Sequence, residues 1–146
     1  MASRDLLNQI HTVPLFPPVT PTPNVNTPIV SNIIDTAGFD ACTFVIETGA
    51  LTSAGVTVGV LVEDGDQPNL SDNAAVPAYN IVGSTTLASF GQIDSNKTRK
   101  IGYVGQKRYV RLTLTPANNG AGSIFLAGVA ILGYAHSIPL PNPPQA

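Results

Sequence analysis

The chain is poor in charge and has few residues of the kinds that catalysis needs. Only 11% of its 146 residues are charged, less than half of the roughly 25% in an average soluble domain. There are two histidines, one cysteine and no tryptophan. Gly-rich phosphate loops, His-Glu-x-x-His zinc motifs and Gly-x-Ser-x-Gly nucleophile elbows are all missing. We therefore expect a protein that is not an enzyme and that holds no cofactor or metal.

The few reactive side chains have ordinary interpretations. Cys42 lies inside an apolar run, which is typical of a small buried side chain rather than a reactive thiol. His11 and His136 lie outside the predicted body of the domain, where a catalytic base would lack a rigid scaffold. The acidic segment 63–72 has four carboxylates that could bind Ca²⁺, but without EF-hand spacing. A solvated turn is the simpler interpretation of that segment, and the sequence leaves both open.

Charge and hydropathy also limit the partners. The net charge of −2 and the pI of about 5.4 are not those of a nucleic-acid-binding protein. No run approaches the ~20 apolar residues of a membrane span, and the polar residues 1–5 do not resemble the start of a signal peptide. We expect synthesis in a reducing host cytoplasm and no binding to membranes. Charged side chains on the surface keep soluble monomers from associating. Since this surface carries few of them, we expect other proteins to cover much of it.

Residues 29–135 have the pattern of an all-β domain. Short apolar runs alternate with turn residues, which is typical of a sandwich or a jelly roll. Strict alternation predicts that Val56, Val58, Val60 and Val62 line one inner face. The last run, 124–133, is almost wholly apolar and is predicted to be central and buried on both faces. The predicted strands are 29–34, 43–47, 56–62, 78–82, 86–93, 101–104, 109–115 and 124–133. The fold class is therefore an antiparallel, jelly-roll-like β-sandwich.

Two Pro-rich extensions, residues 1–28 and 136–146, flank this body. In the first, a short helical turn is predicted over 3–11, followed by five prolines within residues 14–23. Proline excludes a helix and a central strand there, so the backbone must be extended. Leu15, Phe16 and Val19 are then predicted to dock on another protein. Two alternatives stay open, an arm that packs on its own domain and a disordered tail.

Charged residues are segregated along the sequence. Six of the seven basic residues lie within 97–111, and seven of the nine acidic residues lie within 35–72. Matched potentials fix the register between subunits, so the basic cluster is predicted to contact a second copy or an acidic neighbour. A solvated strand edge is the alternative, and binding of a nucleic acid with help from Tyr103 and Tyr109 is a weaker one. The predicted interface residues of the cluster are Arg99, Lys100, Lys107, Arg108 and Arg111.

Several segments resemble one class of viral proteins. The run 97–113 is similar to segments of cement (decoration) proteins of short-tailed bacteriophages, most clearly from Tyr103 to Arg111. The segments 32–40, 63–65 and 70–72 share the resemblance, which covers about residues 30–134; the Pro-rich arms are not part of it. It implies a jelly-roll sandwich that forms oligomers on the outer surface of the virion capsid and bridges major capsid protein subunits. The low charge, the apolar arms and the segregated charges predict a homodimer or homotrimer. It implies no catalytic residues.

One further alternative belongs to a different functional class. A β-sandwich of this size could be a carbohydrate-binding module or a module of a tail or adhesin. Such sites usually expose tryptophan and tyrosine, and this chain has no tryptophan. The sequence therefore favours the capsid protein over the adhesin.

Overall fold

The computed structural model describes residues 4–17, 22–23, 26–120 and 122–141. All strand pairs among these residues are antiparallel. The strands are β1 (Ile10–Phe16), β2 (Thr22–Pro23), β3 (Ile29–Val30), β4 (Ile34–Asp35), β5 (Phe39–Leu51), β6 (Thr57–Gly65), β7 (Ala74–Ala75), β8 (Ile81–Val82), β9 (Phe90–Gly91), β10 (Thr98–Tyr103), β11 (Tyr109–Ala117) and β12 (Ser123–Ala135). The helix α1 spans Thr85–Ala88, and single 3₁₀ turns span Leu7–Gln9, Ala78–Asn80 and Gln92–Asp94.

The strands form two sheets that enclose one core. Sheet A has the order β1-β12-β5-β10-β8, with β2 also paired to β12. Sheet B has the order β3-β11-β6-β7, with β4 also on β11 and β9 also on β6. The main strands occupy eight positions in chain order, with β3 and β4 sharing the second: β1, β3 and β4, β5, β6, β7, β10, β11 and β12. The first position pairs with the last, the second with the seventh, the third with the sixth and the fourth with the fifth. This is one long hairpin rolled into two sheets, a jelly roll, and the predicted fold class is confirmed.

The core follows from the alternation of apolar residues in the longest strands. Val58, Val60 and Val62 of β6 are buried, as is Val56 just before it, while Thr57 is exposed. The predicted inner face is therefore confirmed. On the neighbouring β11, the buried side chains are Val110, Leu112 and Leu114.

The N-terminal extension is not an arm. β1 pairs along its length with β12 and forms an edge of sheet A, so the domain boundary predicted at residue 29 separates strands of one sheet. An edge strand tolerates proline because one side of its backbone needs no ladder hydrogen bonds. The predicted helical turn over 3–11 reduces to Leu7–Gln9, and residues 1–3 lie outside the described part of the chain.

Leu15 and Phe16 are core residues, which corrects their prediction as a docking pair. They are 0% and 4% exposed. Gly128 on β12 makes room for them, because a Cβ at that position would lie 3.0 Å from Phe16 Cδ2 and 3.4 Å from Leu15 Cδ2. The chain thus realises the alternative in which this segment packs on its own domain. Val19, the third predicted docking residue, lies outside the described residues.

Several strand predictions also need correction. The predicted strand 29–34 divides into β3 and β4, and 78–82 reduces to a 3₁₀ turn and β8. Residues 86–93 form α1, β9 and a 3₁₀ turn, because the Ser84 hydroxyl accepts a hydrogen bond from Leu87 N (3.1 Å) and begins a helix there. The strand β12 is central in sheet A, as predicted, and lies between β1 and β5, but it has only one buried face. Val129 and Ile131, on its other face, are partly exposed.

The C-terminal extension returns to the body over its described part. His136 N donates to Gly38 O (2.9 Å), and Leu140 N donates to Asn8 O (3.2 Å). These bonds hold residues 136–140 beside the start of β5 and the N-terminal turn. No helix within the described ranges is long and apolar enough to cross a membrane.

Candidate protein-interaction surfaces

The predicted basic cluster is largely neutralised within the chain. Five of its six residues form ion pairs with acidic side chains of the same molecule. Lys97 and Arg99 pair with Asp94, Lys107 pairs with Asp66, Arg108 Nη2 lies 2.7 Å from Asp35 Oδ2, and Arg111 Nε lies 3.0 Å from Glu63 Oε2. Most of the charge of this cluster is therefore matched by acidic residues of the same chain.

The pair of Arg111 and Glu63 shows how the fold produces this. The two residues lie directly opposite each other on β11 and β6. Thr113 Oγ1 also donates to Glu63 Oε2 (2.6 Å). Burial tends to raise the pKa of Glu63, but the hydrogen bonds from Arg111 and Thr113 outweigh it, and this pKa lies below its usual value. The pair stabilises sheet B and is not a free docking site.

The remaining predicted residue of the cluster is Lys100. It is exposed on the outer face of sheet A and forms no ion pair with any residue that the structure describes. Of the five basic residues predicted to contact a partner, it alone has an uncompensated charge. The participation of the other four in an interface stays a prediction, although most of their charge is already matched.

The segment that carried the phage resemblance contains a contact between the two sheets. Tyr103 on β10 donates its hydroxyl proton to Asp64 Oδ2 on β6 (2.8 Å). The same hydroxyl accepts a hydrogen bond from Lys107 N (3.1 Å). A side chain at Gly105 would overlap the Tyr103 ring. Burial and the bond to Asp64 raise the pKa of Tyr103. The core of this motif is therefore structural, since it joins sheets A and B.

A charge-free stretch of the chain, residues 73–93, exposes large apolar side chains; we call it the crossover segment. It runs from β7 of sheet B to β9, and it contains no charged residue in 21 positions. Tyr79, Leu87 and Ile93 are 82%, 75% and 86% exposed. Sequence reasoning missed these residues because the segment was interpreted as two weak strands. Its lack of charge was the signal that could have identified it.

The outer face of sheet A is the second apolar surface, and it adjoins the crossover segment at Val82. Adjacent residues on neighbouring strands share this face because paired residues point the same way. One row contains Lys100, Val45 and Val129, and the next contains Thr98, Glu47 and Ala127. The apolar members of the face are Val45, Val82, Phe125, Ala127, Val129 and Ile131, all of them partly or well exposed.

The reactive side chains occupy structural positions. Cys42 is buried in the core, and burial raises the pKa of its thiol to about 12. His11 stacks on Phe39 with the ring centroids 5.6 Å apart, and His136 Nε2 lies 2.8 Å from Asp40 Oδ1. None of these groups has the surroundings of a nucleophile or of a general base.

The acidic segment 63–72 is organised by its own backbone. Asp72 accepts hydrogen bonds from Asp66 N (2.8 Å) and Gln67 N (3.2 Å). These bonds, led by the one from Asp66 N, lower the pKa of Asp72. Within the described ranges, no group of three or more His, Cys, Asp or Glu residues is placed to hold a metal ion. Of the four carboxylates that suggested Ca²⁺, Asp72 closes a turn, Glu63 and Asp66 form ion pairs, and Asp64 accepts the hydrogen bond from Tyr103.

Comparison with known proteins adds little to this picture. No protein-family model matches the chain, and no curated protein matches its sequence. Among solved structures, the chain is similar to the SPBc2 prophage-derived protein YomS, with 8% sequence identity and a TM-score of 0.48. The match covers 88% of this chain and 99% of that one. At this identity and TM-score the similarity carries no argument about function.

Proposed function

We propose that this chain is a structural protein of a bacteriophage virion, which decorates and stabilises the capsid from its outer surface. It does so by self-associating and by bridging subunits of the major capsid protein. The observation that supports this most is the exposure of Tyr79, Leu87 and Ile93 on the uncharged crossover segment. The proposed mechanism contains no catalytic step, no cofactor and no nucleic acid.

Burial of the exposed apolar side chains would supply the free energy of binding. Full burial of a leucine or an isoleucine contributes about 1.5–3 kcal/mol of transfer free energy, and Leu87 and Ile93 leave most of this unrealised in the isolated chain. A capsid surface presents many copies of one subunit at fixed spacing. A self-associated decoration protein binds several of them at once, so weak apolar contacts combine into firm attachment. A seam between subunits that is bridged in this way opens only when all of the contacts break together.

The test uses virions of the phage that encodes this chain, with its gene deleted. Purified wild-type protein is expected to bind these virions and to raise the temperature at which they release DNA. A Leu87→Asp/Ile93→Asp variant is expected to lose both effects while it keeps the melting temperature of the isolated protein. Thr115→Asp is the matched control, since Thr115 is exposed on β11, which β6 separates from β9 of the crossover segment.

Two results would contradict the proposal. Binding to virions that is equal for the wild type and the double variant would exclude the crossover segment as the capsid-binding surface. Absence of the protein from wild-type virions would refute a decoration role altogether. Binding to glycans in the absence of capsid binding would favour the carbohydrate-binding or adhesin alternative instead.

A further inference from the structure

The outer face of sheet A is an extended, nearly uncharged surface. Its five strands are about 4.8 Å apart, and about seven residues of each long strand contribute, at about 3.4 Å per residue. The face therefore measures on the order of 450 Å² in projection. Two such faces together bury close to the ~1,000 Å² at which specific interfaces begin.

Two opposite charges interrupt this surface, Glu47 on β5 and Lys100 on β10. Both are exposed. Thr98 pairs with Glu47 and Lys100 pairs with Val45, so the two charges are diagonal neighbours on one face. Neither takes part in an ion pair or a side-chain hydrogen bond with the residues that the structure describes. One acid and one base, side by side and both unpaired, form a self-complementary charge pattern.

We infer that this face binds a second copy of the chain about a two-fold axis, with Lys100 of each copy beside Glu47 of the other. In a two-fold interface every contact between the copies occurs twice, once in each direction. Lys100 of the first copy therefore pairs with Glu47 of the second, and Glu47 of the first pairs with Lys100 of the second. The inference rests on the self-association in the proposed function and assigns it to a surface and a symmetry.

The sheet register also places the axis. The two-fold axis lies in the plane of the face and must exchange the positions of Glu47 and Lys100. With the strand spacing and the rise per residue given above, this axis passes close to Val129. Val129 then packs against its own copy at the centre of the interface. A charge introduced at Val129 would meet the same charge on the partner.

The decisive test is a charge exchange, followed by sedimentation velocity over a micromolar concentration series. Glu47→Lys and Lys100→Glu are each expected to weaken the dimer at least about tenfold, because they place like charges together. An equimolar mixture of the two variants is expected to restore association as a heterodimer, and the double variant is expected to restore it as a homodimer. Only a contact between copies predicts recovery in the mixture.

A second pair of variants tests the centre of the face. Val129→Asp is expected to leave the chain monomeric, while Thr115→Asp on the outer face of sheet B leaves the dimer intact. Circular dichroism verifies folding, and the exchange of exposed charges decides the matter if Val129→Asp does not fold. Either of two results would overturn the inference. The wild type could stay monomeric, or the equimolar mixture of Glu47→Lys and Lys100→Glu could associate as weakly as each variant alone.

The outcomes also separate this inference from the proposed function. If the wild type self-associates and Glu47→Lys and Lys100→Glu do not weaken this association, the assigned surface is refuted, while the proposed function is not. A dimer that follows the exchange but fails to bind capsids supports the inference and counts against the decoration role.

Discussion

The melting temperature of a Leu15→Ala variant shows whether the segment around Leu15 is a core strand or a docking arm. Its side chain is fully buried beside Phe16, and Gly128 has no side chain with which to fill the space that Leu15→Ala would open. Leucine-to-alanine changes in such sites cost about 2–5 kcal/mol, and we expect about 3 kcal/mol here. For a domain near 150 residues, each kcal/mol shifts the melting temperature by about 2–4 °C. The expected loss is therefore about 6–12 °C in calorimetry of the isolated chain.

The control lies in the same strand. Thr12 is exposed on β1, and Thr12→Ala is expected to shift the melting temperature far less than Leu15→Ala. If Leu15 were instead a docking residue, Leu15→Ala would leave the melting temperature unchanged and would weaken binding to a partner. That pair of results would refute the placement of β1 in sheet A.

Val58→Asp is expected to prevent folding, because an unpaired buried charge costs several kcal/mol, whereas Thr57→Asp yields soluble, folded protein; equal damage in expression and circular dichroism would contradict the register of β6. The pKa of Glu63 is lowered in the folded state, so its pair with Arg111 stabilises the fold fully at neutral pH, and this stabilisation is lost as the pH falls below 4.5, the usual pKa of a glutamate. Denaturant titrations should show that the free energy of unfolding falls more steeply with acid in the wild type than in Glu63→Gln, and parallel falls would refute this. The Cys42 thiol, with its pKa raised to about 12 by burial, is expected to resist a thiol reagent at neutral pH until the chain unfolds, and rapid labelling of folded protein would contradict its burial.

The sequence predicted the parts of the fold in which local pattern and tertiary burial agree. Burial alternates along the whole of β11 and along β6 as far as Val62, so their inner faces follow from period two alone. β1 could not be found in the same way. Its proline suggested an irregular arm, and only its position at the sheet edge, a tertiary fact, makes proline acceptable there. The helix α1 was missed because four residues are too few to show a helical period.

The candidate surfaces were less predictable than the fold, for a related reason. An exposed apolar side chain and a buried one look the same in the sequence. Leu15 was expected on the surface and lies in the core, whereas Ile93 was expected in a strand and is almost fully exposed. Tertiary packing separates them. Leu15 packs into the space left by Gly128 on β12, whereas Ile93 lies in a 3₁₀ turn and is 86% exposed. Sequence alone could still have indicated the crossover segment through its lack of charge.

The segregation of charge along the sequence follows from the topology of the jelly roll. When a long hairpin is rolled into two sheets, its first half pairs with its second half, so strands far apart in sequence become neighbours. The acidic end of β6 therefore lies beside the start of β11, and Glu63 meets Arg111 across 48 residues of chain. Two blocks of opposite charge in such a fold indicate pairing within the chain before they indicate a partner. The informative charges are then the ones left over, and on sheet A these are Glu47 and Lys100.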